Sequence, residues 1–526
     1  MLIKNLVKPS MYRKKVAQLS EKLADRYTTS QFIAHNKRTW GLDKCVEAEN
    51  QILVEFTSMQ PSIVASSYFA NCLAKHHKAN ILAYGDRLKY PKKVTAVYES
   101  FNAIFLQTSL VDVQVEKVRR FEKEIRSSIK NKHDVYNLTI DGILVGDLLY
   151  DYHLRQCRVP TVNVQDCEFW KSFRTMLEKF VYWTDYFKRN KVQAINVTHC
   201  CYLTGVPLRI AISYQVPSYQ INVHGAYRLS EQRLWAYTEF TAFPQKFAML
   251  AEGEKTLGKE EAKKRLARRF AGEIGVDMDY STKSAFTAPT KKPVLSCSKK
   301  IKILLATHCF FDSPNGLGKS LFVDFFEWLS FLGAVSEKTD YEWYIKTHPD
   351  IFPENVPIVE QFLERYEKMR LIPQETSHHQ LIDEGIDFVL TVYGTVGLEY
   401  AALGVPVINA SQVNPHVAYG FNLHPQTTDE YEEMLLNLKD IHLDIPIEEV
   451  YEYYYMQKIR NSMENWLIDD YQEFINRVNG THNQYSWRTY RCILDQFEKS
   501  KHMKRLDFLT KFFMSDDYVM DEEHLA

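Results

Sequence analysis

Thr391-Val-Tyr-Gly-Thr-Val-Gly-Leu-Glu-Tyr-Ala-Ala-Leu-Gly-Val-Pro-Val-Ile408 is the stretch that decides the fold. Phe388 to Val392 is an apolar run of the kind found in a parallel strand covered on both faces. Tyr393-Gly-Thr-Val-Gly397 then turns into a short helix whose first N–H groups and positive dipole end would face an anion. Glu399 falls in the first turn of that helix, Gly404 suits a left-handed C-cap, and Val405-Pro-Val-Ile408 begins a second strand. Two readings stay open from these residues. In one, Gly394, Thr395 and Gly397 cradle a nucleotide phosphate and Glu399 accepts from a ribose hydroxyl pair. In the other the unit is an ordinary βαβ turn, its glycines serve backbone geometry and Glu399 is solvated.

Around this unit the chain runs to 526 residues, more than a single core sustains, so two or more domains are expected. A hydrophobic share of 45%, a charged share of 25% and a formal net charge of -1 describe an ordinary soluble protein and give no electrostatic reason to expect a nucleic-acid partner. Nine cysteines without a CxxC or Cys/His ligand spacing point to free thiols in a reducing compartment and to no metal site. No N-terminal apolar stretch has signal-peptide length, and the longest apolar run is broken by Gly, Pro and Glu399. These features predict a cytoplasmic protein with no membrane span.

Charge is uneven, because residues 1–45 carry ten Lys/Arg against three Asp/Glu. Pro9 and Ser10 can start a helix on which Tyr12, Val16, Leu19 and Leu23 form one apolar stripe beside Arg13, Lys14, Lys15 and Lys22. Such a helix either lies peripherally on an anionic membrane surface or packs on its own protein with its lysines in water.

Strand and helix patterns alternate from residue 51 onward. Strand patterns fall at residues 51–56, 79–84, 102–107, 142–145, 193–198 and 218–223, with helices at 61–77 and 168–190, predicting a parallel sheet with right-handed crossovers. A second series at 302–306, 343–346, 370–372, 388–392 and 405–409 predicts another doubly wound domain. The expected division is a basic helical extension (1–45), a Rossmann-like acceptor domain (46–280), a Ser/Thr/Pro/Lys-rich linker (281–300), a Rossmann-like nucleotide domain (301–445) and a helical, aromatic region (446–526). Open α/β sheets bind ligands beyond the carboxyl ends of their strands, so residues just after strands are the candidates.

Lys346-Thr-His-Pro349 follows one such strand, so His348 can donate to a phosphate from the strand end, and Lys346 either adds a point charge there or faces solvent. His308 and Asp312 follow the first strand of the second series, and Gly316 lies in the turn that leads to the next helix. Gly318-Lys-Ser320 lacks the first glycine of a P-loop, which would fall at Ser313, so an ATPase is excluded. In the first domain Asp147, Asp151 and His199 are candidates for a base that takes a proton from an acceptor hydroxyl. Against these roles stand a helix cap for Asp147, an i,i+4 pair with Arg155 for Asp151, and a satisfied core histidine for His199.

Gly146 to Arg155, His308 to Trp328, Ile345 to Pro349 and Tyr393 to Val407 together resemble bacterial capsule and surface polysaccharide glycosyltransferases of the GT-B fold, in which two Rossmann-like domains face each other across a cleft. The His-Pro motif is similar to that of Kdo transferases and polysialyltransferases. Tyr393-Gly-Thr395 stands where polysialyltransferases have paired Ser/Thr. The resemblance implies that His348 and Thr395 contact a donor phosphate and Glu399 a ribose. It implies sugar transfer from a nucleotide donor, a CMP-sugar such as CMP-Kdo or next a UDP-sugar, to a glycan or lipid-linked acceptor, without a cofactor or an obligatory metal. The alternatives are a nucleotide-sugar 2-epimerase and a non-catalytic polysaccharide assembly protein.

Overall fold

The computed structural model describes residues 9–41, 49–85, 92–277, 283–286, 292–347, 352–460, 466–521 and 524. Strands β1 (Asn50–Glu55), β2 (Asn80–Tyr84), β3 (Ala103–Phe105), β6 (Lys191–Val197), β7 (Ser218–Asn222) and β8 (Gly225–Leu229) form a six-stranded sheet in the order β3-β2-β1-β6-β7-β8. All neighbours are parallel except β7 and β8. Strands β9 (Lys302–Ala306), β10 (Glu342–Lys346), β11 (Met369–Leu371), β12 (Phe388–Thr391) and β13 (Val407–Asn409) form a fully parallel sheet, β11-β10-β9-β12-β13. Two doubly wound α/β domains of this kind are the GT-B type of architecture expected from the sequence.

Period-two alternation explains why both faces of each sheet are covered. Ile303, Leu305, Leu390 and Ile408 point to one face of the second sheet, and Leu304, Val389 and Val407 to the other. In the first sheet Leu53, Ile195 and Val197 join the same apolar cluster as Ile303 and Leu305, so one core continues through the contact between the domains.

Each sheet has a switch point. The chain moves outward from β9 through β10 and β11, then returns to lay β12 on the other side of β9. It does the same around β1, with β2 and β3 on one side and β6 on the other. A crevice therefore opens beyond the carboxyl ends of β9 and β12, and another beyond β1 and β6.

Several expectations need revision. Residues 143–144 do not enter the main sheet: Ile143–Leu144 (β5) pairs antiparallel with Thr139–Ile140 (β4) around Asp141 and Gly142, both at positive φ. The antiparallel strand β8 was not read from the sequence at all. Residues 292–300 are sewn to the second domain, where Glu384 accepts from the Val294 and Leu295 amides and the Ser296 hydroxyl donates to Glu342. The C-terminal region divides. Helix Ile447–Tyr454 packs with helix Glu252–Phe270, whereas Trp466, Phe474, Phe508 and Phe512 complete the core of the first domain.

The domains are joined at Asp324. Its Oδ1 caps helix Phe325–Lys338 by accepting from the Glu327 amide at 2.6 Å. Its Oδ2 accepts from Thr161 at 2.6 Å, from Lys132 at 3.4 Å and from the Tyr150 hydroxyl, all three in the first domain. Replacing Asp324 with Ala removes a cap and the carboxylate acceptor of the buried Tyr150 hydroxyl, so equilibrium urea unfolding is expected to show a loss of about 2–4 kcal/mol. A loss below about 0.5 kcal/mol, the level of an ordinary surface substitution, would contradict this role.

Candidate functional site at the facing carboxyl edges

At the switch point of the second sheet His308, just beyond β9, reaches across to the end of β12. Its Nε2 accepts from the Val392 amide at 3.3 Å and lies 3.1 Å from Thr391 Oγ1. With Nε2 accepting an N–H, the ring proton sits on Nδ1 and Thr391 donates its hydroxyl to Nε2. Thr391 Oγ1 in turn accepts from the Gly394 amide at 3.2 Å. The ring is clamped by Phe325, stacked at 4.6 Å, and by Tyr393 at 5.0 Å. Strand end, histidine and glycine turn are thus one hydrogen-bonded unit. The Thr395 and Val396 amides, at the start of helix Val396–Ala402, have no hydrogen-bond partner among the described residues and are the donors this turn presents.

The other donor-side candidates fall elsewhere. His348 lies outside the described residues. Lys346 is buried and spends two of its N–H groups on the carbonyls of Gln374 (2.6 Å) and Thr376 (2.8 Å), so it props the loop after β11 instead of facing a phosphate. Burial lowers its pKa to about 8. Glu399 is buried under helix Glu252–Phe270, and its Oε1 accepts from both Nε (2.9 Å) and Nη2 of Arg269, so no ribose faces it in this arrangement. Beside it Phe286 packs 5.3 Å from both the His378 and His379 rings, and the Ala285 carbonyl accepts from the His378 amide. Gly397 is required by a side chain: a Cβ there would stand 2.7 Å from His416 Cε1 and Nδ1. Asp312 is half-exposed and accepts from Arg155 (3.2 Å) and Tyr202 (3.0 Å), both of the first domain. Gly316 belongs to the turn closed by its amide on the Ser313 carbonyl at 3.0 Å.

On the facing domain, two of the three base candidates are held in buried pairings. Asp147 follows the small hairpin, not a strand of the main sheet, and its Oδ2 is paired with Arg209 Nη2 at 2.8 Å with both side chains buried. Asp151 is buried in the joint, accepting from Asn315 Nδ2 at 2.7 Å and from the Asn315 amide at 3.2 Å. Burial drives its pKa well up, against the pull of those Asn315 bonds. Its partner is therefore Asn315 rather than Arg155.

His199 stands two residues past the carboxyl end of β6 and is exposed. The protein packed around it holds its pKa below the ordinary histidine value, opposed by the carboxylate of Glu55. Glu55, the last residue of β1, was not singled out from the sequence. Its Oε2 accepts from the Thr198 amide and hydroxyl, each at 2.7 Å, which fixes the carboxylate at the switch point of the first sheet. It also lines a cavity of about 1020 Å³ together with Tyr84, Gln107, Glu178, Tyr182 and Trp183. The available signal was modest: a carboxylate that ends the apolar run Ile52-Leu-Val54. The Tyr202–Asp312 bond ties the loop after β6 to the loop after β9, so the two carboxyl edges face each other. Among the described residues no cluster of His, Cys, Asp and Glu could hold a metal ion, and no helix is long and apolar enough to cross a membrane.

No protein-family model and no curated protein matches the chain. Solved structures that it resembles include Thermosulfurimonas dismutans KpsC, a beta Kdo 2,4 transferase, at 14% identity over 50% of this chain and 79% of that one, with a TM-score of 0.32. Another is UDP-GlcNAc 2-epimerase from Neisseria meningitidis bound to UDP-GlcNAc, at 12% identity over 81% and 100%, TM-score 0.21. A third is Acinetobacter baumannii MurG, at 10% identity over 80% and 98%, TM-score 0.24.

Two measurements check this geometry. Gly397→Ala forces a Cβ into the buried His416 ring, and urea unfolding is expected to show a loss of about 1–3 kcal/mol; wild-type stability would mean that the ring is not packed there. For Lys346 the folded pKa lies below the unfolded value of 10.5. Between pH 8 and 10.5 the unfolded chain thus holds a proton that the folded chain has released, and stability rises with pH. The wild type is expected to gain up to about 3 kcal/mol over Lys346→Met across that window. Parallel profiles for the two proteins would refute the buried amine.

Proposed function

We propose that this chain is a glycosyltransferase that moves a sugar from a nucleotide donor, bound at the switch point of the second sheet, to a hydroxyl of a glycan or glycolipid held in the cavity of the first. The observation that carries this reading is the His308–Thr391–Gly394 unit, which rigidly presents the Thr395 and Val396 amides at the crevice between β9 and β12. Glu55, fixed by Thr198 and open to the cavity, is the base of this reading, with His199 beside it. The acceptor hydroxyl gives its proton to Glu55 as its oxygen attacks the anomeric carbon, and the bond from that carbon to the phosphate oxygen breaks. Backbone N–H groups at the glycine turn meet the departing charge, with His348 of the His-Pro motif as a further donor. No metal or cofactor is required. CMP-sugars such as CMP-Kdo are the favoured donors, with UDP-sugars next, on the resemblance of the His-Pro motif alone. The cavity is large enough for an oligosaccharide end, which favours transfer over epimerisation, a reaction that has no acceptor.

Thermal unfolding with CMP, UDP, GDP and CDP tests the donor half. One nucleotide at 100 times its dissociation constant is expected to add about 2.7 kcal/mol of apparent stability to the wild type and markedly less to His308→Ala. Stabilisation by none of the four would sink the reading and favour a non-catalytic assembly role. Once a donor is found, Glu55→Gln is expected to lower kcat by about 10²–10⁴-fold with donor stabilisation intact. Full turnover in that variant, or loss of turnover on adding EDTA, would overturn the assigned chemistry.

A further inference from the structure

Among the described residues, the N-terminal helix Pro9–Trp40 buries side chains against the body only from Thr28 onward. Thr28, Thr29, Phe32 and Asn36 are buried, and Phe32 stacks on Tyr490 at 4.3 Å. Residues 14–23 are exposed throughout, so this half does not pack its apolar stripe on its own protein. Val16, Leu19, Leu23 and Tyr27 are 50%, 60%, 59% and 63% exposed. At about 100° per residue they share one arc of roughly 80°, on the side of the helix opposite the buried residues. Lys15, Lys22 and Arg26 line one edge of that arc, beside Leu19.

The acidic residues of the same stretch are already used. Glu21 accepts from Arg488 Nη2 at 3.0 Å and from Trp487 Nε1 at 2.9 Å, and Asp25 is paired with Lys93. Both carboxylates face the body and are neutralised there. What the outer face offers is an apolar stripe with one basic edge and no acidic member.

We propose that this face lies flat on an anionic lipid bilayer, with the four apolar side chains entering the headgroup boundary and Lys15, Lys22 and Arg26 meeting lipid phosphates. A second copy of the chain is the poorer occupant. Four half-exposed side chains fall well short of the roughly 800 Å² that each partner of a specific dimer buries, and pairing the stripes would bring like charges together. The proposal does not rest on the assigned transfer reaction.

The test is flotation of the full chain with vesicles of phosphatidylcholine alone or with one third phosphatidylglycerol, at low and high salt, beside light scattering for mass. Binding to the anionic vesicles only, weakened by salt, is expected. Lys15→Glu with Lys22→Glu should weaken it on the order of 30-fold or more. Leu19→Ser with Leu23→Ser should abolish it while the thermal unfolding midpoint and the circular dichroism spectrum stay those of the wild type. Equal binding to both vesicles, no binding to either, or a dimer that the leucine pair dissolves would each overturn the proposal.

Discussion

The carboxylate of Asp324 accepts from groups in both domains, and the mouth of the second sheet is arranged around it. It starts one helix, so Phe325 is set at the first turn and clamps the His308 ring. It also draws in Tyr150 and Thr161, which fixes the helix Gly146–Cys157 against the loop after β9. That helix brings Asp151 to Asn315 and Arg155 to Asp312. Asp151, a candidate base by sequence, and Asp312, a candidate donor contact, thus each bond across the joint. A buried charge is tolerated only with partners, and these carboxylates have theirs.

The switch points do the remaining positioning. A parallel sheet that winds outward and then reverses leaves two strand ends with no crossover between them. In the second sheet those ends carry His308 and the glycine turn, and in the first they carry Glu55 and Thr198. The Tyr202–Asp312 bond sets one edge against the other. An anion at one crevice and a hydroxyl beside a carboxylate at the other are the two requirements of a group transfer, and neither crevice supplies both.

Much of this was legible in the residue order. Apolar runs such as Phe388 to Val392 and Ile303 to Leu305 announce buried parallel strands, and all five strands of the second sheet fall within two residues of their expected places. The short run at residues 143–144 was misplaced, because four residues cannot distinguish a sheet strand from one arm of a hairpin, although Asp141-Gly142 is a turn signal. Fates set by distant partners were not legible. Glu399 meets Arg269 from 130 positions away, and Lys346 meets carbonyls 28 and 30 positions away. Local spacing carries no information about such pairings. The same holds for Glu55, whose role comes from Thr198 across the switch point.

Hydrogen–deuterium exchange of the full chain with and without the stabilising nucleotide addresses the central claim most directly, because it reports where the ligand sits. The account predicts slowed exchange concentrated in the peptides covering residues 391–399 and 306–312, with the first-sheet cavity little changed. Protection confined to the peptides around Glu55 and Tyr182, with residues 391–399 unaffected, would contradict it.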